Sequence, residues 1–154
     1  MSSVKLKKGR DKSFNRKHPW IFSGAIDSIK DINTNGETVE IFSGDGKFLG
    51  YGSYSLHSQI SVRVLSFNPE DQIDKDFIQK KIETAAQFRT QIINLETTNA
   101  YRVINAESDS LPGLVVDKYG DFLVCQFLSA GAEFWKKETI EILFNIFNPT
   151  GIFE

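Results

Sequence analysis

The stretch from Arg16 to Ile26 constrains this chain most, because it joins a basic arm to a rigid aromatic corner and then to a strand. Pro19 fixes its own φ and keeps the residue before it out of the helical region, so any short helix over 13–17 must end there. Trp20 and Phe22 follow directly, and their large rings need burial. We therefore expect the basic side chains before the proline to be held on one corner of a small folded domain.

Charge is divided unevenly along the chain. Residues 1–17 carry seven lysines and arginines against Asp11 alone, a local charge of +6, and the remaining residues carry −8. A basic lobe on an otherwise acidic protein is the electrostatic footprint expected for a nucleic-acid contact. The alternative, which charge alone does not exclude, is a basic face that is exposed to solvent and binds no partner. The residues predicted to contact RNA are Lys7, Lys8, Arg10, Lys12, Arg16, Lys17 and His18.

The first 66 residues alternate between short strand patterns and turns. The strand patterns cover 4–6, 25–30, 37–42, 47–54 and the residues from 60 onward. Asn35-Gly36, between the second and third of them, is a strong hairpin signal. Gly50 and Gly52 weaken the fourth strand and indicate a bulge or a barrel corner. Five or six short strands in about 65 residues predict a small β-barrel or sandwich.

A polar segment then divides the chain. Asn68–Gln72 contains a proline and has no apolar period, so it is interpreted as a linker between a domain of residues 1–72 and one of residues 73–154. From Asp74 to Leu95 apolar residues recur at three- and four-residue steps, which predicts an amphipathic helix of about five turns. A second helical stripe covers 132–147, and Pro149 stops it.

Strands are also predicted in the second part of the chain. Tyr101–Asn105 and Leu114–Tyr119 have strand character, and Gly120-Asp121 fits a two-residue hairpin turn that leads into 122–128. The last of these strands is apolar on both faces except at Gln126, so it should be buried between layers. Together with the two helices, these strands make the predicted fold class α+β.

Several classes of protein are disfavoured by the composition. The chain has no run of eighteen apolar residues and a polar N-terminus, which predicts a soluble cytoplasmic protein that does not bind membranes. A single cysteine, Cys125, excludes an intramolecular disulfide and fits a reducing cytosol. His18 and His57 lack the neighbouring ligands that a zinc site needs, so no metal is expected. No Gly-x-Gly-x-x-Gly follows a strand, so no nucleotide loop is expected either.

Three motifs in order carry a family resemblance. They are Arg16-Lys17-His18-Pro19-Trp20-Ile21-Phe22-Ser23-Gly24-Ala25, then Glu107-Ser108-Asp109-x-Leu111-Pro112-Gly113-Leu114-x-x-Asp117-x-Tyr119-Gly120, and last Leu128-Ser129-Ala130-Gly131-Ala132-Glu133. Over its whole length the chain resembles the class I large-subunit ribosomal RNA cytosine-C5 methyltransferases. The resemblance implies a PUA-like β-barrel over 1–72 and a middle β-β-α-β-β-type domain over 73–154, truncated before a Rossmann domain. Ser110 stands where the family often has glycine, which predicts a difference in the backbone of that loop.

The resemblance also implies ribosomal RNA as partner and S-adenosylmethionine as cofactor of the full-length enzyme. Methylation of cytosine at C5 needs a cysteine thiolate that adds at C6, a methyl donor and a base. Cys125 alternates onto the same face as Leu123 and Phe127, an apolar setting that raises the pKa of a thiol. We therefore expect no catalytic residue and no bound cofactor in this fragment, which should be inactive alone. Glu107 and Asp109 form an exposed acidic pair that either caps its own loop or borders the absent catalytic pocket.

Three functions stay open at this point. The first is an RNA-binding, substrate-positioning N-terminal fragment of an S-adenosylmethionine-dependent 23S rRNA (cytosine-C5) methyltransferase. The second is a stand-alone PUA-type RNA-binding regulator, and the third is a protein-interaction module for an acidic partner. Gly151–Glu154 resembles the opening of a strand, which favours a fragment whose natural continuation lies beyond Glu154. A homo-oligomer stays open, as does the use of the Trp20 edge for base stacking.

Overall fold

The computed structural model describes residues 1–154 and contains two β-sheets. The first sheet comprises β1 Ser3–Leu6, β2 Trp20–Phe22, β3 Ile26–Lys30, β4 Thr38–Phe42, β5 Phe48–Tyr54 and β6 Ile60–Ser66, with helix α1 Lys12–Asn15 between β1 and β2 in the chain. Its strand order is β2-β6-β5-β4-β1-β3, in which only β1 and β4 are parallel. Five of these strands confirm the strand patterns of the first 66 residues, and β2 is an additional strand in the predicted aromatic corner.

The second sheet has the order β10-β9-β8-β7. Its part of the chain comprises α2 Lys75–Ile92, β7 Ala100–Asn105, β8 Leu114–Tyr119, β9 Phe122–Phe127, α3 Ala130–Phe134, α4 Lys136–Phe147 and β10 Gly151–Phe153. β10 pairs in parallel with β9, and the other pairs are antiparallel. The mixed architecture confirms the predicted α+β class. None of the helices combines the length and apolarity that crossing a membrane requires.

Asn35-Gly36 forms a turn but not the predicted hairpin. β3 pairs with β1, and β4 pairs with β1 and β5, so the two strands that flank the turn do not pair with each other. Gly36 has another role, because its φ is 89° and a Cβ there would lie 2.0 Å from the carbonyl oxygen of Ala130. The glycine therefore allows this turn to contact α3 closely.

β5 bends at its glycines, as predicted. Its pairings with β4 and with β6 each contain a register shift. A Cβ on Gly50 would lie 2.4 Å from the carbonyl oxygen of Ser66, and one on Gly52 would lie 2.4 Å from Cγ1 of Val62. Backbone and side chains therefore approach more closely here than any larger residue would permit, and the sheet curls.

The single helix predicted over 132–147 is two helices. Ser129 caps the start of α3, and the backbone leaves helical geometry at Trp135, with φ −93° and ψ 10°. Gly131 packs so closely on the first sheet that a Cβ there would lie 2.2 Å from Oγ of Ser53. α4 packs on α2 instead. The two helices contact different parts of the molecule, and one continuous helix could not reach both.

β9 is covered on one face only, which corrects the prediction that it is buried between layers. Leu123 and Cys125 are each 1% exposed, whereas Phe122 is 42% exposed and Gln126 is also exposed. Both α2 and α4 contribute to the core on the Leu123 side. The opposite face is left to solvent because the long helices lie on the same side of the sheet.

Each part of the chain has its own apolar core. One cluster of 10 buried residues lies within 4–64, and another of 13 lies within 78–143. The segment between them is an ordered turn, since the Asp71 carboxylate accepts hydrogen bonds from the Ser66 hydroxyl at 2.5 Å and from the Asn68 amide at 2.9 Å. A domain boundary between residues 72 and 73 remains a prediction of the sequence.

Candidate nucleic-acid interface

The basic residues predicted to bind RNA lie on α1 and on the loops that flank it, next to the edge strand β2. All of them are exposed, namely Lys7, Lys8, Arg10, Lys12, Arg16, Lys17 and His18. We call the six lysines and arginines of this set the basic corner. Arg10, Lys12 and Arg16 make no ion pair, and Lys8 makes only an exposed one, at 3.5 Å from Asp45. Their charges are therefore available to a polyanion.

Buried contacts hold the basic corner against the first sheet. Phe14 of α1 is 4% exposed, and its ring centroid lies 4.9 Å from that of Phe67. The backbone N–H of His18 donates to the Ser13 carbonyl at 3.0 Å. Lys17 has a φ of 61°, and its Nζ lies 5.0 Å from the centroid of the Phe67 ring. The helix thus ends before Pro19, as predicted, and the cations project from a folded corner.

β2 is an edge strand with only one covered face. Ile21 is 4% exposed, whereas Phe22 is 48% exposed and Trp20 is half-buried. The expectation that Phe22 is buried is therefore wrong, because successive side chains of a strand point to opposite faces and one face here has no covering layer. The rings of His18, Trp20 and Phe22 form a row, with centroid distances of 5.9 and 6.5 Å between neighbours that meet edge to face.

The two parts of the chain are joined at Trp20. Its indole N–H donates to Oε1 of Glu107 at 2.9 Å, across 87 positions of sequence. Arg63, the neighbour of Trp20 on β6, places its Nε 3.8 Å from the same oxygen. The Glu107 side chain is only 27% exposed. This carboxylate therefore connects the 3-10 turn Ala106–Asp109 to the edge of the first sheet.

Asp109 is held inside the second part of the chain by Arg89. Arg89 Nη1 and Nη2 donate to the two carboxylate oxygens at 3.2 and 2.6 Å, and both side chains are 10% exposed. The backbone N–H of Asn105 donates to Oδ2 of Asp109 at 2.6 Å. The expected exposed acidic pair is therefore wrong for Glu107 and Asp109 alike, because each carboxylate is engaged. Asp109 caps its own loop, which was the first of the two interpretations.

Arg89 is absent from the predicted site residues, although the sequence carries a signal for it. On α2 it occupies the next position of the apolar stripe formed by Ile78, Ile82 and Ala85, and all four are buried. Arginine is rarely buried without a partner. An arginine on the covered stripe of an amphipathic helix therefore predicts a buried acid elsewhere in the chain.

The loop after the 3-10 turn and the lone cysteine have clear structural roles. Ser110 adopts the left-handed conformation, with φ 58° and ψ 32°, which glycine adopts without steric cost. Cys125 is 1% exposed, and burial, with a smaller effect from Glu154, raises the pKa of its thiol to about 11. Such a thiol stays protonated at neutral pH and is a poor nucleophile. No group of three or more His, Cys, Asp or Glu side chains is arranged to hold a metal ion.

The chain is similar to known proteins in both fold and sequence. Residues 4–67 match the model of the PUA-like domain family. Two solved structures share the fold. A candidate SAM-dependent methyltransferase from Streptococcus mutans has a TM-score of 0.80 and 19% identity, over 97% of this chain and 39% of that one. A candidate methyltransferase complexed with SAH has a TM-score of 0.82 and 18% identity, over 99% of this chain and 40% of that one.

Curated relatives are more similar in sequence. The ribosomal RNA large subunit methyltransferase I of Vibrio cholerae is 49% identical over 152 residues, which are 99% of this chain and 38% of that protein. The protein of the same name from Shewanella amazonensis is 44% identical over 98% of this chain and 38% of its own length. The chain therefore spans well under half the length of these relatives. Residues 4–67 are thus similar to the PUA-like domain family, and the chain is similar over nearly all of its length to proteins named ribosomal RNA large subunit methyltransferase I.

Proposed function

We propose that this chain is the RNA-binding, substrate-positioning N-terminal part of a cytoplasmic, S-adenosylmethionine-dependent 23S rRNA (cytosine-C5) methyltransferase. The observation that carries the proposal is the basic corner, where Arg10, Lys12 and Arg16 are exposed and free of ion pairs on a PUA-like domain. The names of the curated relatives support ribosomal RNA as the partner.

In this proposal the basic corner binds the phosphate backbone of RNA. The residues after 17 carry a net charge of −8, so a polyanion is attracted to one side of the molecule and repelled elsewhere. The buried ring of Phe14 fixes α1 before RNA arrives, and cations that are already positioned lose less freedom on binding. Lys7, Lys8, Lys17 and His18 extend the same exposed surface and complete the proposed set of contacts.

The second part of the chain would set the orientation of the RNA-binding part relative to the catalytic part of the full-length enzyme. Support comes from the close contacts between the two, which include the Trp20–Glu107 hydrogen bond and the approach of Gly131 to Ser53. In this proposal the turn containing Glu107 and Asp109 lies at the border of the catalytic pocket and acts only as a scaffold. Its two carboxylates are engaged with Trp20 and Arg89, so neither is offered to a substrate.

Methyl transfer itself would be carried out by a region of the enzyme that binds S-adenosylmethionine. The reaction at cytosine C5 requires an activated thiolate. The only cysteine, Cys125, has a thiol pKa raised to about 11 and lies in a core cluster. In this proposal the chain contributes binding and positioning, and neither a catalytic residue nor a cofactor contact is assigned to it.

Reversal of charge at the basic corner tests the proposal. Replacing Arg16 and Lys17 together with glutamate should weaken binding of 23S rRNA fragments on the order of tenfold, because phosphate contacts are lost whatever the sequence. Fluorescence anisotropy with labelled RNA measures the change. The matched control is Lys80→Glu with Lys137→Glu, since both lysines are exposed, lie in the second part of the chain and make no ion pair. Equal weakening by the control would show that net charge alone, rather than this corner, governs binding.

A further inference from the structure

A groove of about 280 Å³ opens beside the basic corner, between α1 and β2. Its walls are mainly apolar, with the rings of Phe14, Trp20 and Phe22 among them, and its polar lining comes from Arg10 and Ser13. Phe14 belongs to the buried core, whereas Phe22, which also lines the groove, is 48% exposed. The exposed aromatic surface of the groove thus adjoins the guanidinium of Arg10, which makes no ion pair.

The aromatic side of the groove is held in place. Trp20 is fixed by the hydrogen bond from its indole to Glu107 at 2.9 Å. The Phe22 ring stands at 83° to the Trp20 ring, with a centroid distance of 6.5 Å. Gly24 also lines the groove, and a Cβ there would meet nothing within 4 Å. The groove therefore exists without a partner and does not have to be formed on binding.

We propose that this groove takes one unpaired base of a single-stranded RNA segment, which stacks on Phe22 while the flanking phosphate lies on Arg10. This inference rests on the proposed function and deepens it by naming the form of the RNA. Aromatic rings and guanidinium planes are the groups on which splayed-out RNA bases stack. The groove adjoins the part of the chain whose local charge is +6, so a base carried on a polyanion matches it in both shape and charge.

A double-stranded segment does not suit the same groove. The bases of an A-form helix are stacked on each other, and their faces cannot be reached from the outside. The basic corner by itself would attract duplex and single strand alike, because phosphate contacts carry no information about pairing. Selection for unpaired RNA is therefore the property that the groove adds.

The test compares Phe22→Ala with Phe22→Trp in the 154-residue chain, using a short oligouridine and a fully abasic oligomer of the same length. Loss of the ring should weaken oligouridine binding about tenfold, and tryptophan should restore it. The abasic oligomer should bind the wild type and Phe22→Ala equally. Phe144→Ala is the matched control, since Phe144 is 49% exposed on α4 in the second part of the chain. Unfolding curves of each variant confirm that the fold is retained.

The outcomes separate this inference from the proposed function. A stacking contact is independent of salt, so Phe22→Ala should leave the salt dependence of binding unchanged, whereas the charge reversal at Arg16 and Lys17 should reduce it. Oligouridine binding that is equal in wild type and Phe22→Ala would overturn the base site and leave the basic corner untouched. Equal weakening of duplex and single-stranded RNA by Phe22→Ala would also overturn it. Binding that the charge reversal does not weaken would instead overturn the proposed function.

Discussion

Replacement of Arg89 with alanine is expected to lower the free energy of unfolding by about 3–5 kcal/mol, the loss typical when one partner of a buried ion pair is removed. The Asp109 carboxylate would keep its buried position, at 10% exposure, without the guanidinium that donates to both of its oxygens. The bond from Arg89 Nε to the Arg102 carbonyl, at 3.0 Å, would be lost as well. Chemical denaturation measures the change. In addition, the backbone amide hydrogen of Asn105, in the same loop, should exchange with solvent faster than in the wild type.

The control for this prediction is the ion pair between Lys75 and Glu141. Its N–O distance of 2.6 Å equals that between Arg89 and Asp109, but its side chains are 42% and 54% exposed. Lys75→Ala should therefore have little effect on stability, because an exposed pair is screened by solvent. A loss for Arg89→Ala no larger than that for Lys75→Ala would mean that the buried pair does not hold the turn.

Replacement of Gly36 with alanine is expected to destabilise the protein by about 2–4 kcal/mol, from overpacking together with left-handed strain. Its φ of 89° already disfavours a side chain. In addition, the new Cβ would lie 2.0 Å from the carbonyl oxygen and 2.5 Å from the carbonyl carbon of Ala130. These are backbone atoms that cannot rotate away, so the turn would have to move away from α3. Thermal and chemical unfolding should both register the loss.

Gly46 provides the matched comparison for Gly36. Its φ is 85°, almost the same as that of Gly36, but a Cβ there would meet nothing within 4 Å. Gly46→Ala should therefore incur only the conformational cost, about 1–2 kcal/mol. The difference between the two variants measures the contact between the Gly36 turn and α3. Equal losses would show that this contact contributes nothing to stability.

The secondary structure could be predicted from the sequence wherever it depends on neighbouring residues. Thr38–Phe42 and Ile60–Ser66 follow from alternation, and the two-residue turn at Gly120-Asp121 follows from turn chemistry. The bend of β5 follows from Gly50 and Gly52. In each case the cause lies within a few residues of the effect, so the pattern is sufficient.

The features that were predicted wrongly or missed depend on residues that are distant in the sequence. Trp20 and Glu107 are 87 positions apart, and neither residue signals the other. Phe22 has the large apolar side chain typical of a core residue, and only the edge position of β2 explains why it is exposed. Asn35-Gly36 has strong local turn chemistry, but the pairing of β1 between β3 and β4 is a property of the whole sheet. Local patterns therefore identified the elements of the site but not how they meet.

Binding of RNA phosphates by the basic corner is tested most directly by a salt titration of the affinity for single-stranded RNA, in the wild type and in the variant with glutamate at positions 16 and 17. If about four side chains meet phosphates, the logarithm of the association constant should fall with the logarithm of salt concentration at a slope of roughly −3. The variant should flatten this slope by about one to two units, because two contacts are removed. Equal slopes for the two proteins would contradict the proposal and leave the basic corner as a face that only water and ions contact.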